Sequence, residues 1–322
     1  MSSAALAYRD VLQLARPPRD DFADALITGL RKDPKDLPCK YFYDAIGSDL
    51  FDQICELPEY YPTRTEIALL KRHAAEFAAL MGKNVDLIEF GAGSLQKVGY
   101  LLEALDAPHA YMPIDISGDY LNSMAAKLRS TNPALQVRPI IADFTKPLRL
   151  PISGVRRIGF FPGSTIGNFT HTEAFSFLER SARLLRGGGL LIGVDLIKDP
   201  AILHAAYNDA DGVTALFNKN ILARANRELG ANFDLDAFAH YAPYNPVEQR
   251  IEMHLISLKK QTVDVGGATA NFVEGETIHT ENSHKYSIEG FPALASSAGF
   301  TPKAVWHDTE KLFSLHWLEA SA

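Results

Sequence analysis

Cysteine is nearly absent: the 322 residues hold two, Cys39 and Cys55. That excludes a disulfide framework and a paired CxxC metal site, and leaves two reduced thiols within the fold. Long hydrophobic runs are missing as well. The most apolar stretch, around Leu190–Ile197, is broken by Asp195 and falls far short of the ~20 residues that a spanning helix needs. The opening segment MSSAALAYRDVLQLARPPRD meets Arg9 and Asp10 before any leader-like apolar region develops. The expectation is a soluble cytoplasmic protein with no membrane partner. Positive charge is not in excess. Lys and Arg total 32 against 39 Asp and Glu, a net charge of −7, which argues against a nucleic-acid backbone binder. No GxSxG occurs, so Ser164 in PGSTIG is not a nucleophile elbow. The ten histidines are scattered, and His279 and His284 lack a third ligand at metal spacing, so no metal is expected. Internal repeats and Ser/Gly linkers are also missing.

What is there is a strand–helix rhythm. Residues 1–80 read as helices and turns, with Phe22, Ala25, Leu26 and Leu30 at helical spacing and a tyrosine- and phenylalanine-rich stretch from Tyr41 to Tyr61. From residue 85 the rhythm changes. Val85–Phe90, Ala110–Ile116, Val137–Ile141, Arg157–Pro162 and Leu190–Asp195 are short apolar runs separated by helical patterns. Thr170 and Glu173 have capping-box spacing before one helix, and Gly187-Gly188-Gly189 ends it. Such alternation predicts βαβ units and a parallel sheet. It breaks between about 196 and 286, where helices over 199–227 precede strands at Gln249–Leu258, Thr262–Val265 and Asn271–Ile278, with Gly266-Gly267 as a turn. A helix at Gly290–Ala298 and strands at Lys303–His307 and Phe313–Trp317 return to the first pattern. The expected division is 62–195 plus 287–322 for the parallel-sheet domain, and 1–61 plus 196–286 for a second, smaller α+β domain.

The first strand runs into Gly91-Ala92-Gly93-Ser94 and then a helix, where glycines let a ligand approach the backbone. A dinucleotide fingerprint would place a third small residue at Gln96. A lone GxG can equally be a tight turn. Asp115, 24 residues after Gly91, ends the second strand, where a carboxylate can accept from both ribose hydroxyls. Asp143-Phe144 follow the third, where an acid can meet an adenine amino group and an aromatic ring can lie on the base. Each acid alone could be a solvated turn residue, but three such features at consecutive strand ends converge on one crevice. The ordered set resembles the class I (Rossmann-like) S-adenosylmethionine-dependent methyltransferases, an α/β fold whose seven-stranded sheet closes with an antiparallel strand. A nicotinamide dehydrogenase is the alternative within that fold. The missing third glycine counts against it, as does the lack of an evident hydride-transfer residue after the fourth strand.

Longer motifs sharpen the resemblance. LPCKYFYDAIGSDLFDQICELPEYYPTRTE, IEFGAGSLQK, PGSTIGNFT, DLIKDPAILHAAYNDADGVTALFNKN and ETIHTENSHKYS, in this order, resemble the histidine Nα-methyltransferase family. That family trimethylates the α-amine of free L-histidine to hercynine in ergothioneine biosynthesis. The resemblance spans about residues 20–320. It implies S-adenosyl-L-methionine as cofactor, with Gly91, Lys97, Asp115, Asp143 and Phe144 as its ligands. It implies Tyr60, Asn168, Tyr207, Met253, Glu281 and Ser283 as ligands of the amino acid. Tyr43 would sit beside the transferring nitrogen, and Asn168 would anchor the carboxylate; these two are the expected catalytic positions. The substrate would be the one partner, with no obligate protein partner, in keeping with a monomer. Two departures stand out: GAGSLQK replaces a loop that more often reads GSGTSxK, and Asn282 and His284 stand where smaller residues are usual. His284 could crowd the imidazole.

The chemistry suits these residue types. Methyl transfer from a sulfonium is an in-line displacement, so positioning and desolvation dominate. Free α-amines have a pKa near 8, so a modest fraction is neutral without a strong base. Aromatic faces can stabilise the growing quaternary ammonium by roughly 0.5–2 kcal/mol. Core packing is the competing account of the tyrosine-rich segment. Two further readings remain: a family member acting on another free amino acid such as tryptophan, and a catalytically silent S-adenosylmethionine-binding protein.

Overall fold

A computed structural model describes residues 21–93 and 95–321. The leader reading of residues 1–20, and Ser94 of the glycine loop, lie outside the described residues. The chain divides into two units, one built on Pro62–Ile197 and the segment from Lys285 onward, the other on Asp20–Tyr61 and Lys198–His284.

The first unit holds a seven-stranded sheet. Its strands, in chain order, are Asp86–Phe90, Ala110–Asp115, Ile140–Ile141, Arg157–Phe161, Gly189–Asp195, Phe300–His307 and Phe313–Ala320. Numbered so, they lie side by side in the order 3-2-1-4-5-7-6, the first five parallel and the seventh antiparallel to both neighbours. Both faces are covered, as parallel strands require. One face packs Ile88, Met112, Ile114, Phe161 and Ile192 under Phe177 and Phe291. The other packs Leu87, Tyr111, Phe160, Leu191 and Trp317 under Phe77 and Val98. The helix His171–Leu184 starts with the expected capping box: the Thr170 hydroxyl accepts from Glu173 N, and the Glu173 carboxylate accepts from Thr170 N at 2.8 Å. The class I methyltransferase sheet read from the sequence is therefore present, closing hairpin included.

The third strand is shorter than read. Only Ile140–Ile141 pair with the second strand, and Val137 makes an isolated bridge to Tyr111, because the intervening backbone leaves the ladder.

The second unit carries a sheet in the order Lys35–Asp36, Thr277–His284, Arg250–Ser257, Phe238–Tyr241, with Tyr244–Asn245 also paired to Arg250–Ser257. Helices Phe22–Leu30, Ala45–Glu56, Pro200–Tyr207 and Val213–Leu229 accompany it. Asp44 caps the second of these, accepting from Gly47 N at 2.7 Å, and also accepts from Asn220 Nδ2 at 2.8 Å. A separate hairpin pairs Gln261–Val265 with Ala268–Phe272. Its turn, Gly266-Gly267, has φ of 58° and 89°, the left-handed pair that a two-residue hairpin turn demands. The single strand expected over Asn271–Ile278 is corrected to two. Ala268–Phe272 ends, the chain turns through Gly275 at φ 83°, and Thr277–His284 begins in another sheet.

Candidate functional site

The expected cofactor ligands gather at the carboxyl ends of the parallel strands, the usual ligand edge of such a sheet. The strand Asp86–Phe90 passes into Gly91, whose φ of 71° lies in the left-handed region that favours glycine. Gly91 N and Ala92 N both donate to Ile114 O, at 2.9 and 3.1 Å, which ties the loop to the second strand. A Cβ on Gly91 would stand 3.3 Å from the Phe144 ring, whereas one on Gly93 would meet nothing within 4 Å. The loop is thus closed on its Phe144 side and open at Gly93.

Asp115 ends the second strand, with Oδ1 accepting from Ser117 N at 2.8 Å. Burial pushes its carboxyl up, partly offset by the Ser117 bonds. Asp143 follows the third strand and is buried. Its Oδ1 accepts from Thr145 N at 3.0 Å and from the Thr145 hydroxyl, and Lys146 Nζ lies 3.7 Å from Oδ2. Phe144 packs edge-on to Phe161, ring centroids 5.6 Å apart. Asn168 closes the short 3-10 helix Thr165–Asn168 beyond the fourth strand and is half-buried.

Lys97, in the helix after the glycine loop, has its Nζ 2.6 Å from Glu66 Oε2. Glu66 is fully buried and also accepts from Gly163 N, at 2.9 and 3.0 Å. One carboxylate therefore joins the glycine-loop helix to the loop that carries Asn168. Gly193 leaves it room, since a Cβ there would come within 2.3 Å of Glu66 Oε1. Sequence reasoning missed Glu66, although it lies in the quoted YYPTRTE. Its chemistry depends on two partners distant in sequence. Glu89, one residue before Phe90, was missed too. It is buried, accepts from the Tyr111 hydroxyl, and burial pushes its carboxyl up to about 8.

The second unit gathers the other set. Tyr207 Oη and Ser283 Oγ are 2.7 Å apart. Tyr60 stands edge-on to Tyr207 at 6.3 Å, Phe51 to Tyr60 at 6.3 Å, and Tyr43 to Phe51 at 5.7 Å and to Phe217 at 5.6 Å. Burial first, and then the neighbouring Glu281 among other groups, pushes the Tyr43 hydroxyl well above the usual tyrosine range. Tyr60 is pushed up by burial, then by Tyr207, Cys55, Tyr43 and Glu281. Both phenols are therefore neutral at physiological pH, able to donate one hydrogen bond and accept others.

Glu281 is 9% exposed and stands directly opposite Met253 in the ladder between Thr277–His284 and Arg250–Ser257. Ser283 stands opposite Ile251. The register slips between His279 and Glu281, so Thr280 is the extra residue of a β-bulge. Without that slip, strict alternation from buried Ile278 would turn Glu281 and Ser283 to the other face. With it, Thr280, Glu281 and Ser283 are all buried. His284 follows Ser283 in extended backbone and so points to the opposite face from it. Nothing in residue spacing announces the bulge. Among the described residues no group of three His, Cys, Asp or Glu could hold a metal ion, and no helix is long and apolar enough to cross a membrane.

The first group suits an adenosyl sulfonium ligand: an open glycine turn, a lysine, a strand-end acid and an aromatic ring next to an acid. The second suits a small zwitterion with a polar ring: a carboxylate, hydroxyls, a thioether and aromatic faces. The family described as "Histidine-specific methyltransferase, SAM-dependent" matches residues 22–320. The chain is 43% identical over 308 residues to a histidine N-alpha-methyltransferase of Mycolicibacterium smegmatis, covering 91% of this chain and 95% of the relative. It is 42% identical over 294 residues to the one of Mycobacterium tuberculosis, covering 89% and 91%. Ergothioneine biosynthesis protein 1 of Neurospora crassa is 30% identical over 310 residues, covering 89% of this chain and 33% of that protein. The chain belongs to the family of S-adenosylmethionine-dependent, histidine-specific methyltransferases.

Proposed function

We propose that this enzyme trimethylates the α-amine of free L-histidine to hercynine, as a step of ergothioneine biosynthesis. The relatives named for histidine N-alpha-methylation and for ergothioneine biosynthesis support the reading. The observation that carries it is the buried strand face that brings Glu281, Ser283 and Met253 together, with Ser283 hydrogen-bonded to the Tyr207 hydroxyl.

S-adenosylmethionine, when bound, supplies an electrophilic methyl group on sulfur. Gly91 and the open turn at Gly93 would give its chain close access to the backbone, Lys97 would meet its carboxylate, Asp115 would accept from its ribose, and Asp143 with Phe144 would receive its adenine. On the amino-acid side, Glu281 accepts from an imidazole N–H, Ser283 serves the same ring edge, and Met253 closes the wall. Tyr60 and Tyr207 bind the carboxylate and amine. The raised Tyr43 and Tyr60 hydroxyls stay protonated, so neither acts as a phenolate base. The nucleophile is instead the neutral fraction of the amine, its lone pair oriented by hydroxyl groups. Aromatic faces at Tyr43 and Tyr60 then stabilise the quaternary product.

Removing Glu281 tests this. A site built to hydrogen-bond polar ring atoms rejects analogues that lack them, because its own groups are left unpaired. Glu281→Ala should raise the histidine KM far more than that for tryptophan or phenylalanine. Unchanged histidine kinetics in that variant would overturn the substrate assignment while leaving the methyltransferase family intact.

A further inference from the structure

The bulge at Thr280 is held by a chain of buried and half-buried hydrogen bonds through Asn218 and His240, neither of which is a proposed ligand. Asn218, fully buried in the helix Val213–Leu229, donates from Nδ2 to His254 O at 3.1 Å and to His240 Nδ1 at 2.9 Å. Its Oδ1 accepts from the Thr280 hydroxyl at 2.7 Å, and the same hydroxyl also reaches Met253 O at 3.1 Å. His240 Nε2 lies 2.8 Å from Tyr207 O. The atom assignments follow from the partners. A carbonyl only accepts, so His254 O fixes which end of the Asn218 amide is the nitrogen, and Tyr207 O fixes the proton on His240 Nε2. His240 Nδ1 is then a bare acceptor for Asn218, which requires neutral imidazole. Burial holds the pKa of His240 below the ordinary histidine value, with Lys219 pushing the same way and Asp209 and the Tyr207 carbonyl opposing.

The chain runs from the backbone of Tyr207, through His240 and Asn218, to the residue that makes the bulge. Its ends are the two places from which the amino-acid ligands project: Tyr207 at one, Glu281 and Ser283 at the other. We infer that Asn218 and His240 are positioning residues of the amino-acid site, fixing Tyr207 against the Thr280 bulge so that Glu281 and Ser283 face the substrate. The inference rests on the reading of Tyr207 and Glu281 as substrate ligands. Neither Asn218 nor His240 is assigned a contact with the substrate.

Thr280 gives the cleanest test, since valine keeps its shape and drops the hydroxyl. Thr280→Val should raise the histidine KM about tenfold, the worth of one buried hydrogen bond, with kcat within about twofold. Thr280→Ser, which keeps the hydroxyl, should restore the KM to near wild type. Paired with His240→Leu in a double-mutant cycle, Thr280→Val should cost little beyond the worse single change, because both cut one chain. Glu281→Ala is the reference. If it raises the KM while Thr280→Val does not, the positioning role is overturned and the substrate site stands. If Glu281→Ala itself leaves the KM unchanged, both fall. Should Thr280→Val prove unfolded, nitrogen-15 chemical shifts of His240 in the wild-type protein decide: the Nε2–H tautomer supports the chain, and the Nδ1–H or doubly protonated ring refutes it.

Discussion

Asp115 accepts hydrogen bonds from Ser117 and the Ile116 backbone, and burial still raises its carboxyl pKa. A ligand offering two hydroxyls would repair that desolvation. Asp115→Ala should therefore weaken S-adenosylhomocysteine binding by about 2–3 kcal/mol while the fold persists, as read by calorimetry. Unchanged affinity would remove Asp115 from the site. Glu89 makes a different prediction. Its carboxyl sits at about 8 in the folded chain against an ordinary 4.5. Between those values the folded state keeps a proton that the unfolded state has released, so stability falls as pH rises through that window. Glu89→Gln removes the titration and keeps an oxygen for the Tyr111 hydroxyl. Its melting temperature should decline less than that of wild type as pH rises from about 5 to about 8, and parallel curves would show that Glu89 does not titrate there. The residues that sequence motifs singled out are the ones with chemistry of their own. Glu66, Asn218 and His240 act through partners far along the chain, and no local pattern could mark them.

Among the elements, the strands with apolar runs and clear punctuation were legible: Asp86–Phe90 before its glycines, Gly189–Asp195 after its own, and the Gly266-Gly267 hairpin. Legibility failed where alternation continued across a turn, as between Phe272 and Thr277, and where pairing is too short to pattern a sequence, as at Lys35–Asp36. The Thr280 bulge was invisible because one extra residue leaves no compositional trace, although it decides which way Glu281 points. Elements also meet at Glu66, which binds Lys97 and Gly163 N together. Glu66→Gln weakens the hold on the Lys97 ammonium, and Gly193→Ala places a Cβ within 2.3 Å of Glu66 Oε1. Both should weaken S-adenosylhomocysteine binding about tenfold or more, the worth of one charge-assisted hydrogen bond. If calorimetry finds both variants unaffected, Lys97 is placed independently of Glu66.

For the whole molecule, the seven-stranded sheet with its antiparallel seventh strand supplies the family fold, while we propose that side chains of the second unit decide the substrate. Fold alone does not name a substrate. The most direct measurement is competition. The enzyme is given S-adenosylmethionine in excess and an equimolar mixture of the free amino acids, and the products are followed over time by fragmentation mass spectrometry. The account predicts that histidine is consumed first, that mono- and dimethyl species rise and fall, and that the end product carries three methyl groups on the α-nitrogen. Methylation on a ring nitrogen, arrest after one methyl group, or equal consumption of tryptophan would contradict it.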